Sequence, residues 1–370
     1  MCSHNHFALE LATMPFTTEQ LSYAGNAAIN YFLRNDPVDQ INVNRPWIKK
    51  LMGDKKPYVG GLQYVVEQLR YSNDSNFQSY FGDTQVTYNR KRTLQQAKFT
   101  WGAFHDGFGL NEDELAQNGI VMTDDKSSVP TDAEKVQLTN LLQENAETLK
   151  LGFQENFDYM LHRDGSQAAT DIPGLDALVS TTPTVSLVVG GLDQSIYTWW
   201  QNTAITGIST ATAGNLTQQM EIAWRDCTRY GGFTPDLILC GEEFLDAYRT
   251  DSKSSIIRNV FVKDGMNKGV TLDGSVGSGA KTGLSFKGLE LDWDPVMTVL
   301  DALDAPLVPW SKRCYFINTK FLKLRPIQGH WMVSRTPPRV YDRYVHYWAL
   351  TAKAALTTGK RNAHAVLSIA

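Results

Sequence analysis

No apolar run in this sequence approaches the roughly 18–20 residues that a bilayer-spanning helix needs. The opening Met1-Cys2-Ser3-His4-Asn5-His6 lacks the basic and then apolar regions of a secretion signal. Cysteine is scarce. Cys2, Cys227, Cys240 and Cys314 show neither metal-type nor disulfide-framework spacing, so free thiols in a reducing compartment are expected. Charge is thin as well, at 20% of residues, against roughly 25% in an average protein. Lys and Arg number 35 against 39 Asp and Glu, a net −4, and that balance supplies no basic stripe for nucleic acid. Glycine (28) and proline (14) are near average, which removes the collagen-like and low-complexity classes.

The usual catalytic signatures are missing too. There is no HExxH pair among the histidines and no GxSxG nucleophile elbow. Gly274-Ser275-Val276-Gly277-Ser278-Gly279-Ala280-Lys281-Thr282 looks like a phosphate loop at first sight. Such a loop needs glycines one and six residues before its lysine, because the backbone must wrap the phosphates. Ala280 and Ser275 stand there instead, and a flexible surface loop is the better reading. Cys2, His4 and His6 alternate at the terminus as an adventitious metal set would. Asp292 and Asp294 flank Trp293 and read as a solvated strand end, and Asn111-Glu112-Asp113-Glu114 as an acidic helix start. Acid, base and nucleophile nowhere come together, so neither an enzyme, a cofactor nor a metal is expected.

What the chain does have is length and apolar content. Its 370 residues suggest two or three domains, and 42% hydrophobic residues provide a real core. Few charges with 11% aromatics is the tilt of large protein–protein interfaces.

Residues 1–55 read as an irregular arm. Thr17 could cap a short helix to about Leu33, while Asp36-Pro37 and Arg45-Pro46 break regular structure. Trp47 is one of its few apolar anchors. Residues 62–71 and 97–103 read as two long strands around a polar excursion, a ribbon barely stable alone in water. It should pack on another surface, including that of another chain. Thr131 and Glu134 form a capping box before apolar residues at helical spacing, and Gly165 stops a helix of about 33 residues, about 50 Å long. Helix 216–230, strand 236–240, helix 242–248 and a polar loop 250–282 follow, then strands near 284–292, 314–318 and 320–327. Helices and strands are interleaved without strict alternation, which is α+β.

This order of parts resembles the major capsid protein of tailed bacteriophages, and local text reinforces it. Ile172-Pro173-Gly174-Leu175-Asp176-Ala177-Leu178-Val179 directly follows the long helix, as the GL-x-x-L/V strand does in that family. Val189-Gly190-Gly191-Leu192-Asp193 with Trp199-Trp200-Gln201-Asn202 is similar to the GGID…WWRN text of one branch, with Leu192 and Gln201 in place of Ile and Arg. Residues 235–240 with Phe244 and Tyr248 resemble a shared strand and helix, and residues 350–367 the closing strands.

The resemblance implies the tailed-phage capsid fold: an N-terminal arm (1–55), an extended hairpin loop (56–110), a peripheral domain (111–212, with spine helix 131–164), an axial domain (213–325), and a return to the peripheral domain (326–370). It implies self-assembly as hexamers and pentamers into an icosahedral shell around double-stranded DNA, which lines the inner face without sequence-specific binding. The implied partners are a separate scaffolding protein and a portal, with decoration proteins as optional additions and no membrane; the implied location is the virion, after assembly in the host cytoplasm. Trp47, Arg90, Lys91 and Arg92 are the expected inter-subunit contacts, the last three because they form the densest positive run, on a segment unable to stand alone. Two other readings remain: a bacterial nanocompartment shell enclosing cargo enzymes, and a soluble nucleotide-binding enzyme.

Overall fold

The computed structural model describes residues 43–60, 63–111, 113, 132–259, 284–337 and 345–370. The helix expected from Thr17, the set Cys2, His4 and His6, the capping residue Thr131 and the Gly-rich 264–283 lie outside them. Helix α1 (Pro46–Gly53) opens the described chain, and strands β1 (Tyr64–Arg70), β2 (Leu94–Thr100) and β3 (Gly102–Asn111) follow. Next come the long helix α2 (Asp132–His162), the single turn α3 (Leu175–Leu178), strands β4 (Val188–Val189), β5 (Leu192–Asp193) and β6 (Thr203–Ile208), and helix α4 (Asn215–Arg229). Strand β7 (Leu237–Cys240), helix α5 (Glu242–Asn259), strands β8 (Ser285–Phe286) and β9 (Leu289–Trp293) and helix α6 (Val296–Asp304) lead to five further strands. These are β10 (Arg313–Ile317), β11 (Leu322–Pro326), β12 (Val333–Arg335), β13 (Val345–Thr358) and β14 (Ala365–Ile369).

The chain divides into two compact units. The larger holds residues 42–105, 152–333 and 351–370, and the smaller holds 1–41, 106–151 and 334–350. In the smaller unit Phe108 stacks on Trp348, with ring centroids 5.6 Å apart. Gly107 permits that approach, because a Cβ there would lie 2.8 Å from the Trp348 carbonyl.

The larger unit is built on a six-stranded mixed sheet ordered β6-β14-β10-β7-β9-β8. Leu237-Ile238-Leu239-Cys240 is buried along its whole length, as a continuous apolar run covered on both faces should be. Helix α4 presents Leu216, Met220, Ala223 and Cys227 to the sheet, a stripe at helical spacing, and these meet Phe244, Ile238, Phe316 and Leu367 in one core. Cys227, Cys240 and Cys314 are buried free thiols.

Within residues 326–370, β14 lies in this sheet between β6 and β10, while β13 pairs with β11 and β12 in another. The pairing of a terminal strand is a long-range choice that its own apolar text does not specify. Several expectations change here. Helix α5 runs to Asn259, so the start of the expected loop 250–282 is helical. Pro46 does not break structure; it sits in the first turn of α1, where a missing N–H costs nothing. Asp294 is fully buried and no part of a solvated strand end.

The quoted text pieces converge on one side chain. Arg361, buried, donates from Nε to the Leu178 carbonyl at 2.8 Å and from Nη2 to the Ala177 carbonyl and Gln194 Oε1 at 3.1 and 2.9 Å. Its guanidinium also reaches Asn202 Oδ1 at 3.3 Å and lies 5.9 Å from the Trp200 ring. One buried arginine thus ties α3, the Gly-Gly-Leu-Asp turn and the Trp-Trp-Gln-Asn segment together.

Candidate functional site

Strands β1 and β2 pair antiparallel, with Val65 opposite Phe99, Glu67 opposite Ala97 and Leu69 opposite Gln95. These residues share one face, since strand side chains alternate. Val65, Leu69, Ala97 and Phe99 are buried there against the ribbon's own chain. Gly190, at φ +62°, lies under Ala97 and Phe99, where an added Cβ would come within 3.1 and 3.2 Å of them. Its carbonyl accepts the Lys98 backbone N–H at 2.8 Å. Glu67, a charge on the docked face, is answered by Arg325 at 2.9 Å and by the Thr357 hydroxyl at 3.3 Å. Tyr71 stacks on Trp199, with centroids 5.4 Å apart. The regular ribbon therefore packs on another surface, as expected, and that surface belongs to its own chain.

Residues 71–93 behave differently. They form no helix or strand and hold themselves by local bonds. The Arg92 backbone N–H donates to Asp74 Oδ2 at 2.8 Å, the Gln78 side-chain amide bonds both the backbone N–H and the hydroxyl of Thr87, and Thr84 Oγ1 donates to the Phe81 carbonyl at 2.7 Å. Gly82, at φ +56°, supplies the turn that the Thr84-to-Phe81 backbone bond closes. On this frame Phe77, Tyr80, Phe81 and Tyr88 are 93%, 72%, 92% and 90% exposed. Single exposed apolar residues are ordinary, whereas four aromatics on one short excursion are not. The sequence reading treated the stretch as polar and missed them; the aromatic spacing within it was the available signal. Arg90, Lys91 and Arg92 are exposed on the returning limb, and among the described residues none of the three forms an ion pair.

Trp47 does not join them. It is 0% exposed within its own chain, packed edge-on to His162 with centroids 6.4 Å apart. The expected contact at Trp47 is thus an internal one, because α1 is amphipathic enough to dock Trp47, Ile48 and Leu51 on the body of its own subunit. Beside the ribbon an open cleft of ≈ 570 Å³ is lined by Gln68, Gln96, Lys98 and Gly190 among others, amides and one amine with no acid–base pair.

No family model matches the chain, and no curated protein matches it in sequence. Solved structures do. A chain of the cyanophage A-1(L) capsid asymmetric unit superposes with a TM-score of 0.56 over 90% of this chain and 95% of its own, at 12% identity. One from the capsid of Myoviridae phage XM1 gives 0.53 over 92% and 97%, also at 12% identity. One from Mycobacterium phage Bobi gives 0.53 over 93% and 98%, at 11% identity. The fold is that of tailed-phage major capsid proteins. The exposed aromatic excursion joins β1 to β2, and α2 is the long helix that precedes the Gly174–Leu178 turn.

Proposed function

We propose that the chain is the major capsid protein of a tailed phage, a structural protein and not an enzyme. It self-assembles as hexamers and pentamers into an icosahedral shell around double-stranded DNA, in the virion, after assembly in the host cytoplasm. A separate scaffolding protein and a portal complete the assembly, with decoration proteins as optional partners. The reading assigns residues 1–55 to the arm, 56–110 to the hairpin loop and 111–212 to the peripheral domain, to which part of 326–370 returns. Residues 213–325 form the axial domain, to which we add β6 and β14.

The observation that carries this reading is the hairpin tip. Phe77, Tyr80, Phe81 and Tyr88 stand in solvent on a segment whose base is firmly docked, on a fold that solved phage capsid chains share. Burying a large aromatic contributes on the order of 2–3 kcal/mol, so the tip is built to be covered by a second copy. The test is size-exclusion chromatography and electron microscopy of the purified chain, with and without co-expressed phage genes. Closed particles in the megadalton range, filled with nucleic acid when packaging proteins are present, are expected. A chain that stays monomeric at its highest soluble concentration and enters no particle overturns the reading; shells that hold cargo proteins favour the nanocompartment.

A further inference from the structure

Asp158, His162 and Asp294 are all fully buried, and they touch. His162 Nε2 lies 3.0 Å from Asp294 Oδ2, while Nδ1 lies 2.8 Å from the Asp158 carbonyl and 3.5 Å from its carboxylate. A neutral imidazole has one N–H; only the imidazolium donates from both nitrogens. Two acidic side chains around one ring therefore select the charged form. Two indoles wall the cluster, Trp47 at 6.4 Å and Trp310 at 6.2 Å from the ring, both edge-on.

The walls differ in how they are held. Trp310 is pinned from several sides: Asp301 accepts its backbone N–H, the Ser311 N–H bonds Asp301 at 2.8 Å, and the Arg313 guanidinium lies 4.2 Å from its ring. Trp47 sits on α1, a two-turn helix whose polar holds on α2 are Arg45, 3.2 Å from Glu155 and 4.0 Å from Asp158, and the Ile48 backbone N–H, which faces the Asp158 carboxylate. The charged groups facing the ring are thus Asp158 on α2, with Glu155 behind it, Arg45 from the α1 side, and Asp294 from the turn before α6. Beyond Trp310 stands Arg313, already paired with Asp176 at 2.8 Å.

We propose that this cluster is a proton-held latch: the imidazolium of His162, bridging Asp158 and Asp294, keeps α1 docked on the end of α2, and its deprotonation releases α1. Above pH about 7, where Asp158 is ionised as well, loss of that proton leaves two buried carboxylates without a cation between them, a cost relieved by admitting water. The least tethered wall moves, and that is α1, where residues 1–42 join. Burial alone would lower the His162 pKa, yet Asp158 and Asp294 more than offset it and raise it to about 9. A group held above its free value contributes stability that is full below the free pKa and lost as pH rises through the held one. The window is therefore 6.5 to about 9. The latch belongs to the single chain and does not rest on the shell reading.

Hydrogen exchange by mass spectrometry on the full chain tests it, read as protection factors so that the intrinsic pH dependence of exchange drops out. Protection of residues 46–53 should fall about tenfold per pH unit across that window, as release of one proton requires, while β7 and β10 stay protected. His162→Gln should flatten the dependence. Constant protection in α1, or the same slope in His162→Gln, overturns the latch. Should that variant fail to fold, Asp294→Asn takes its place. It should move the midpoint of the His162 ring titration, followed by NMR, toward the free value; an unmoved midpoint overturns the proposal equally.

Discussion

Arg361 and Leu178 stand 183 positions apart, yet the arginine Nε lies 2.8 Å from the leucine carbonyl oxygen. The guanidinium is buried, and among the described residues no carboxylate pairs with it. Main-chain carbonyls at the end of α3 and the amides of Gln194 and Asn202 stand in for a counter-ion. Burial lowers the Arg361 pKa to about 10, which still leaves it charged at neutral pH.

Replacing Arg361 by Met removes the donor from at least three buried acceptors. Each buried group left unpaired costs about 1–3 kcal/mol, so a loss of several kcal/mol is expected. Urea unfolding of the unassembled subunit measures it. Arg361→Lys should fall between, since one ammonium cannot reproduce the planar fork. A Met variant within 1 kcal/mol of the wild type, a margin about the smallest of those penalties, would show that these carbonyls do not need the arginine.

Gly174 is required by space, not by backbone freedom. Its Cβ would lie 2.3 Å from the Arg163 carbonyl oxygen, 2.6 Å from that of Leu161 and 2.7 Å from that of Met160. Two of these carbonyls belong to the last turn of α2 and the third follows its end, so the clash cannot be relieved by a side-chain rotation. Gly174→Ala should cost about 1–3 kcal/mol, as overpacking does, and lower the thermal midpoint by several degrees. An unchanged midpoint would mean that the end of α2 gives way freely.

Below pH 6.5, outside the His162 window, the pH response of the unassembled subunit should reveal two opposed groups. Burial, with help from the Arg361 charge, lowers the pKa of His364 from 6.5 to about 3. The unfolded chain then binds a proton that the folded one refuses, and stability is lost as pH falls below 6.5. Burial raises Asp158 from 3.8 to about 7, with Asp294 adding to it and His162 and Arg45 pulling back. Here the folded chain keeps the proton, and stability is lost as pH rises from 3.8 to about 7. The two slopes, each about 1.4 kcal/mol per pH unit at most, largely cancel in the wild type. Asp158→Asn should expose the first, with stability falling on acidification relative to wild type. His364→Gln should expose the second, with stability rising. Parallel pH curves for all three proteins would show that neither group titrates as placed.

Much of this architecture was legible in the residues, and the parts that were not share a cause. Helix α4 announces itself by Leu216, Met220, Ala223 and Cys227, and β7 by an unbroken apolar run, because burial of one element writes its own period. The long helix and the two ribbon strands were readable for the same reason. Long-range choices leave no such period. His162 and Asp294 meet across 132 positions, and each reads singly as an unremarkable polar residue. The partners of β14 are likewise set by the sheet and not by its text. Pro46 misled in another way: proline breaks a helix interior but suits a first turn, and only the burial of Trp47 and Leu51 decides between them. At the hairpin tip, Phe77, Phe81 and Tyr88 are spaced too irregularly for any core-facing pattern. That irregularity fits side chains that no element of their own chain covers.

The same tip lets magnitude rank the expected contacts. Arg90, Lys91 and Arg92 are exposed, and exposed ion pairs are worth only about 0–1 kcal/mol each. Phe77 and Phe81 are over 90% exposed, and covering either contributes on the order of 2–3 kcal/mol. The aromatics should therefore decide whether subunits associate, and the basic run how steeply association depends on salt. Neither set holds up its own subunit, since Arg92, Phe77 and Phe81 bond only through their backbone and the side chains engaged in the loop's bonds are those of Ser72, Asp74, Ser75, Gln78, Thr84 and Thr87. A Phe77→Ser, Phe81→Ser double variant should show the circular dichroism and thermal midpoint of the wild type but form no shells at any ionic strength. Changing Arg90, Lys91 and Arg92 together to Glu should leave particles that form with a weakened or inverted salt dependence. Wild-type particle yield from the double Phe variant would show that the tip meets only water. Complete loss of assembly in the charge variant at high salt, where screening should rescue it, would reverse the ranking.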